Sequence, residues 1–193
     1  MARQSNREKI LTEGLRVVQA RGFGGASVRD IVHAAGVPQG SFTNHFASKE
    51  AFGLEVLDLY FRRSCAIIAR TLGDTSLPPL RRLRAYIDAR RDVLNEAGMR
   101  NGCLFGNLTA EASEANEPIR LRILEIFTEV RARLLDCLRD AVAAGEVPGN
   151  LDCEEVAGFI VASLQGAILL AKAERSPEPI ERFKSVLFGR VLR

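Results

Sequence analysis

Residues 27–46 read SVRDIVHAAGVPQGSFTNHF. Ser27-Val-Arg-Asp30 is a capping box, in which a hydroxyl accepts one free N–H of a starting helix and an acid three residues on reaches back to another. Ile31, Val32, Ala34 and Ala35 give this helix an apolar side, and Gly36 stops it. Pro38 has no backbone N–H to donate but fits the first turn of a helix, whose donors lack partners anyway, so another helix opens near it. That helix has room for about two turns, because Ser48 caps the next one and Glu50 suits its first turn. A helix, a turn containing glycine and a short second helix form the helix-turn-helix pattern, whose second helix lies in the major groove of DNA.

Working outward, Ser5-Asn-Arg-Glu8 is another capping box. It opens a first helix with Ile10, Leu11, Gly14, Leu15, Val17 and Val18 on its apolar face, closed by Arg21-Gly22. Downstream, helical patterns run over about 49–72, 78–96, 102–115 and 116–144, the last stopped by Gly145. Asp152-x-x-Glu155 opens an eighth helix reaching about Arg175, and Pro177-x-Pro179 introduces a ninth. No segment alternates as a strand does. The expectation is an all-α chain of about nine helices: a three-helix helix-turn-helix domain over 1–48, and a helical-bundle regulatory and dimerisation domain over 49–193.

Composition narrows the function. The 193 residues are 47% hydrophobic and 26% charged with only 7 prolines, which excludes a disordered or collagen-like chain. No unbroken apolar run reaches the roughly 18 residues of a membrane span, and the N-terminus lacks the apolar centre of a secretory signal, so no membrane association and a cytoplasmic location are expected. Cys65, Cys103, Cys137 and Cys153 form no C-x-x-C pair, and His33 and His45 belong to no metal-binding motif. Reduced thiols, no metal and no cofactor are therefore expected. The net charge of +3 arises wholly within residues 1–50, where seven basic side chains face four acidic ones, while 51–193 hold twenty of each. A localised basic excess suits a polyanion partner.

The residues Ser27-Val-Arg-Asp-Ile31, Ala35-Gly-Val-Pro-Gln-Gly-Ser-Phe42, His45-Phe46 and Lys49-Glu50 together resemble the TetR family of transcriptional repressors, with matching spacings over 10–55. The resemblance implies a DNA-binding set of Ser27, Arg29, Pro38, Gln39, Gly40, Ser41, Thr43, Asn44, His45 and Lys49. Gln39 and Ser41 at the start of the recognition helix suit base edges, Gly40 lets the backbone approach, and Lys49 near a helix N-terminus suits a phosphate. His45 stands where the family commonly meets the DNA backbone. Thr43 departs from the family's usual tyrosine, leaving one phosphate contact in doubt. Phe42 and Phe46 read as anchors against the first helix.

One short recognition helix makes few base contacts, so specificity needs two copies on a two-part operator and the partner is a second copy of the chain. Gly158, Ala162 and Gly166 recur at i, i+4 and i+8 in the eighth helix. By resemblance the seam lies there and in the ninth helix, with Leu170, Phe183 and Leu187 in it; packing within one chain is the alternative for the same row. Phe61, Cys65, Tyr86, Arg90, Cys103, Phe105, Leu108 and Phe127 mix aromatic, thiol and basic groups as the wall of an effector site does, or form ordinary core. Cys103 follows Gly102 near the start of the sixth helix, where backbone N–H groups favour a thiolate, and Asn101-Gly-Cys103 resembles the electrophile- and oxidant-sensing branch of the family. Lys172 is its candidate partner. The leading expectation is a repressor released by a small-molecule or electrophilic effector. The alternatives are a constitutive DNA-binding protein and a helical-bundle enzyme, the latter disfavoured because no nucleophile-base constellation is apparent.

Overall fold

Four helix starts rest on a side-chain contact made within three residues. Ser5 Oγ accepts the Glu8 N–H at 3.2 Å while a Glu8 carboxylate oxygen accepts the Ser5 N–H at 3.0 Å. The same exchange joins Ser27 and Asp30, with both backbone bonds at 3.1 Å. Ser48 Oγ accepts the Ala51 N–H at 3.0 Å, and Asp152 Oδ1 accepts the N–H groups of Glu154 and Glu155. These caps satisfy donors that a helix leaves open at its first turn.

The structure, a computed structural model, describes residues 5–111 and 116–193. Among them the helices are α1 (Asn6–Gly25), α2 (Val28–Ala34), α3 (Gly40–His45), α4 (Lys49–Arg70), α5 (Pro79–Asn95), α6 (Leu104–Glu111), α7 (Glu117–Ala143), α8 (Cys153–Glu174) and α9 (Glu178–Val186), followed by a π-helical turn (Leu187–Val191) and no strand. The all-α expectation of about nine helices is met. In α1 the backbone leaves helical geometry at Gly22, where the sequence placed the stop, and three more residues of the helix lie beyond that kink. α3 begins two residues after Pro38, because the carbonyls of Pro38 and Gln39 first accept the Ser41 and Phe42 N–H groups in a turn. α6 starts at Leu104, later than the expected 102, and the expected end at 115 lies outside the described residues.

The chain packs as two units. The first takes the chain as far as Arg62 and adds Leu104–Leu124. Ile10, Leu11, Leu15 and Val18 of α1 are buried with Ile31 of α2, Phe42 of α3, Phe46, and Phe52 of α4. The three phenylalanine rings form a cluster with centroids 5.2–5.4 Å apart, close enough for edge and tilted contacts to add to their burial. Gly14 is needed here for room: a Cβ on it would lie 2.4 Å from Phe52 Cζ. The expectation that Phe42 and Phe46 anchor the recognition helix holds. α6 packs along α1 in the same unit.

The second unit holds Arg63–Cys103 and Glu125–Arg193. Buried Arg82 of α5 donates to Asp140 of α7 at 2.7 Å and to the Leu72 carbonyl at 3.2 Å. Asp88 and Arg91 of α5 pair with Lys184 and Glu181 of α9, which fixes α9 along α5. α8 packs on α9 with Ile160, Leu164, Ala167, Ile168 and Ala171 turned inward. By length and composition α8 is apolar enough to cross a membrane, with a mean hydropathy of 1.8 over its best window. Counting unbroken apolar runs missed it because Ser163 and Gln165 interrupt the run.

Candidate nucleic-acid interface and thiol core

The inward pull of one ring decides which side of α3 faces out. Phe42 is 2% exposed, so Gly40, Thr43 and Asn44, which lie off its helical face, project to solvent, with Ser41 half-buried; Gln39, at the N-cap just before α3, is exposed as well. Pro38, His45, Ser27 and Arg29 are exposed as well, and Lys49 is half-buried. No atom of the chain would touch a Cβ on Gly40 within 4 Å. Internal packing therefore does not require glycine there, and what it leaves open is the outer surface.

Several of these groups already have partners. Thr43 Oγ1 turns back to donate to the Gly40 carbonyl at 3.1 Å, which a tyrosine phenol at that position is too long to do. Ser27 Oγ donates to Asp30 at 2.6 Å, and Asp30 also pairs with Arg21 at 2.8 Å. Hydrogen bonds from Ser27, with Arg21 assisting, hold the Asp30 carboxyl below its ordinary range. Lys49 Nζ sits 4.8 Å from the centre of the Phe23 ring and 3.4 Å from the Gly24 carbonyl. From sequence Lys49 is expected at a phosphate, and nothing local signals this intramolecular seat against Phe23 and Gly24.

The expected effector-site residues divide. In the second unit, Arg90, 6% exposed, places Nη2 3.7 Å from Cys103 Sγ and Nη1 3.3 Å from Ser64 Oγ. Cys103 is 3% exposed and immediately precedes α6. Tyr86 is buried with them, and burial pushes its phenol up from the ordinary value while Arg90 opposes that rise. In the first unit, Phe105 contacts Tyr60 at 4.9 Å and Phe61 at 6.3 Å, with Leu108 buried one turn on. Phe127 is half-buried, and Lys172 is half-buried in the last turn of α8.

Cys65 corrects the expectation: its residue is exposed rather than part of a buried wall, because α4 turns Ser64 inward at the adjacent position. Ser64 and Tyr60 were not singled out from sequence, since a serine or tyrosine on a helix carries no mark of its distant partner. Cys137 is pushed up to about 11 by burial, and its thiol donates to the Pro79 carbonyl at 3.3 Å. A small cavity of about 10 Å³, the space of about one water, lies among Phe23, Leu108, Glu111, Asn116 and Ile119. Of the expected effector-site residues only Leu108 borders it.

The small-residue row of α8 faces outward within one chain. Ala162 and Gly166 are exposed, Gly158 is half-buried, and a Cβ on either glycine would meet nothing within 4 Å. Phe159, Leu169 and Leu170 stand 43%, 67% and 50% exposed beside that row. Phe183 and Leu187, expected in the seam, are instead buried in their own chain, where they hold α9 and the π-helical turn; the exposed apolar residue of α9 is Val186.

This geometry has close parallels. Residues 10–56 match the family model described as bacterial regulatory proteins of the tetR family, and 79–187 match the tetracyclin repressor-like C-terminal domain. The HTH-type transcriptional repressor DhaR of Mycobacterium sp. strain GP1 is 40% identical over 192 residues, covering 100% of this chain and 95% of that one. A solved structure of regulatory protein TetR from Rhodobacter sphaeroides is 30% identical with a TM-score of 0.92, over 97% of this chain and 99% of that one. Escherichia coli NemR, solved in a reduced form, is 29% identical with a TM-score of 0.84 over 93% of both chains. With an outward recognition helix on an aromatic anchor and matches over both halves of its length, the chain belongs to the TetR family of DNA-binding transcriptional regulators.

Proposed function

We propose that this regulator is a homodimeric repressor that holds a two-part operator and releases it when Cys103 is modified by an electrophile or oxidant. Residues 1–48 read the DNA, and 49–193 sense the effector and pair the protomers. The observation that carries the reading is the seat of Cys103, buried directly before α6 with the Arg90 guanidinium 3.7 Å from its sulfur. An adduct there does not fit without displacement, since a buried site at native packing density has no spare volume. Addition to a quinone joins Sγ to a ring carbon and passes the thiol proton to the quinone oxygen. Relief of the crowding moves α6 and shifts α4, and the separation of the two recognition helices changes. A hundredfold loss of affinity needs a bias of about 2.8 kcal/mol between the binding and non-binding arrangements.

Three further features support the scheme. The exposed apolar row of α8 offers a self-complementary seam. Lys172 of the same helix is the candidate to capture an oxidised Cys103 sulfur. NemR, a relative of 29% identity, has been solved in a form described as reduced. On DNA, Gln39 and Ser41 read bases, while Ser27, Arg29, Thr43, Asn44, His45 and Lys49 meet the backbone, with Pro38 and Gly40 shaping the approach.

The test is a footprint on DNA upstream of the protein's own gene, run with wild type and Cys103→Ser, each with and without a quinone or hypochlorite. Both proteins protect the same two half-sites, and the reagents release wild type alone. Equal release of both proteins transfers sensing to another group; no release of either makes the protein a constitutive binder.

A further inference from the structure

We propose that Glu111 of α6 is a positioning residue for DNA binding, which sets the short end of α1 beyond its Gly22 kink and through it the start of the helix-turn-helix. Its carboxylate accepts the Gly24 N–H at 2.7 Å across 87 residues of sequence. The carbonyl of the same Gly24 faces Lys49 Nζ at 3.4 Å, so one short stretch of backbone is held from α6 and from α4. Phe23 is buried between these contacts and stands against Gly53, where an added Cβ would come 2.7 Å from its ring. Leu108 of α6 and Ile119 of α7 border the same notch.

Gly22 makes the arrangement possible on two counts. Its φ of 77° lies in the left-handed region that side chains disfavour, and a Cβ there would lie 2.5 Å from Glu111 Oε1. The backbone kinks within α1 at this residue and passes close to the carboxylate. It then delivers buried Ala26 and the cap residue Ser27 to the start of α2. A charge-assisted bond to the Gly24 N–H fixes where α2 begins, and α2 and α3 follow as a packed pair. The role proposed is thus separate from base or phosphate contact, and it depends on the DNA-binding activity of the family rather than on how Cys103 responds.

The experiment compares full-length wild type, Glu111→Ala and Glu111→Gln by amide hydrogen exchange and by affinity for a duplex carrying the DNA upstream of the protein's own gene. Glu111→Ala accelerates exchange at residues 23–26 and weakens duplex binding, each by about fivefold, the scale of one exposed hydrogen bond. Exchange across α8 stays as in wild type. Glu111→Gln, whose amide oxygen still accepts, recovers most of both losses, as a merely charged surface residue would not. The proposal is overturned if exchange at 23–26 is unchanged in Glu111→Ala, if it rises while affinity holds, or if glutamine is as poor as alanine. Should Glu111→Ala fail to fold, Gly22→Ala displaces the same carboxylate from the other side and must produce the same pair of losses.

Discussion

Along the helix-turn-helix the polar groups face water, and the contacts that fix them are short in sequence: Ser27 is held by Asp30 and Thr43 by Gly40. Around Cys103 the groups are buried, and their partners come from 13 and 26 residues away. The difference follows from what each region must do. A surface that exchanges water for DNA keeps its polar groups solvated and relies on a rigid apolar backing, here the rings of Phe42, Phe46 and Phe52. A guanidinium kept from water needs polar neighbours permanently, so Arg90 is tied into α4 and the segment before α6.

The contrast is broken most directly at Phe52, which has no exposed surface. Phe52→Ala removes about 3–5 kcal/mol of local stability. Amide exchange should rise throughout α1–α3 while α8 and α9 stay protected; equal loosening of both units would mean that the backing is not separate. Next in size is Gly166→Glu. The single chain has open space around Gly166, so the variant folds, yet a charge in a closed helix seam has no partner. Sedimentation should give a folded monomer with little operator affinity, and a dimer of normal affinity would place the seam elsewhere.

Cys137 sharpens the buried side of the comparison. Its folded thiol releases its proton near 11 instead of near 9.0 because burial disfavours the thiolate. Between those values the unfolded chain has given up a proton that the folded chain keeps. Stability from this group is therefore full below about pH 9 and falls as pH rises toward 11, by at most about 1.4 kcal/mol per pH unit. Denaturation of wild type and Cys137→Ala from pH 8 to 11 should diverge by that slope, and parallel curves would remove the burial argument. The smallest effect belongs to exposed Arg29. Arg29→Ala should lower the slope of log affinity against log salt by about 0.9 while leaving base preference intact; an unchanged slope would take Arg29 off the DNA backbone.

Sequence alone determined the helix order and several helix ends, because Ser5, Ser27, Ser48 and Asp152 cap through neighbours within three residues, while Gly145 follows the end of α7 and Gly22 kinks α1 by their own backbone freedom. It also determined which side of α3 is exposed, since burying Phe42 turns Thr43 and Asn44 outward in a helix of that register. Only the tertiary structure decided which apolar faces are used within the chain. Phe183 and Phe159 have the same composition and helical setting, yet one is core and the other is exposed. Likewise nothing near Glu111 announces Gly24, nothing near Arg90 announces Ser64, and Cys65 reads no differently from Cys103 until α4 is placed. The physical reason is that helical periodicity says which residues share a face, while what covers that face depends on chain distant in sequence.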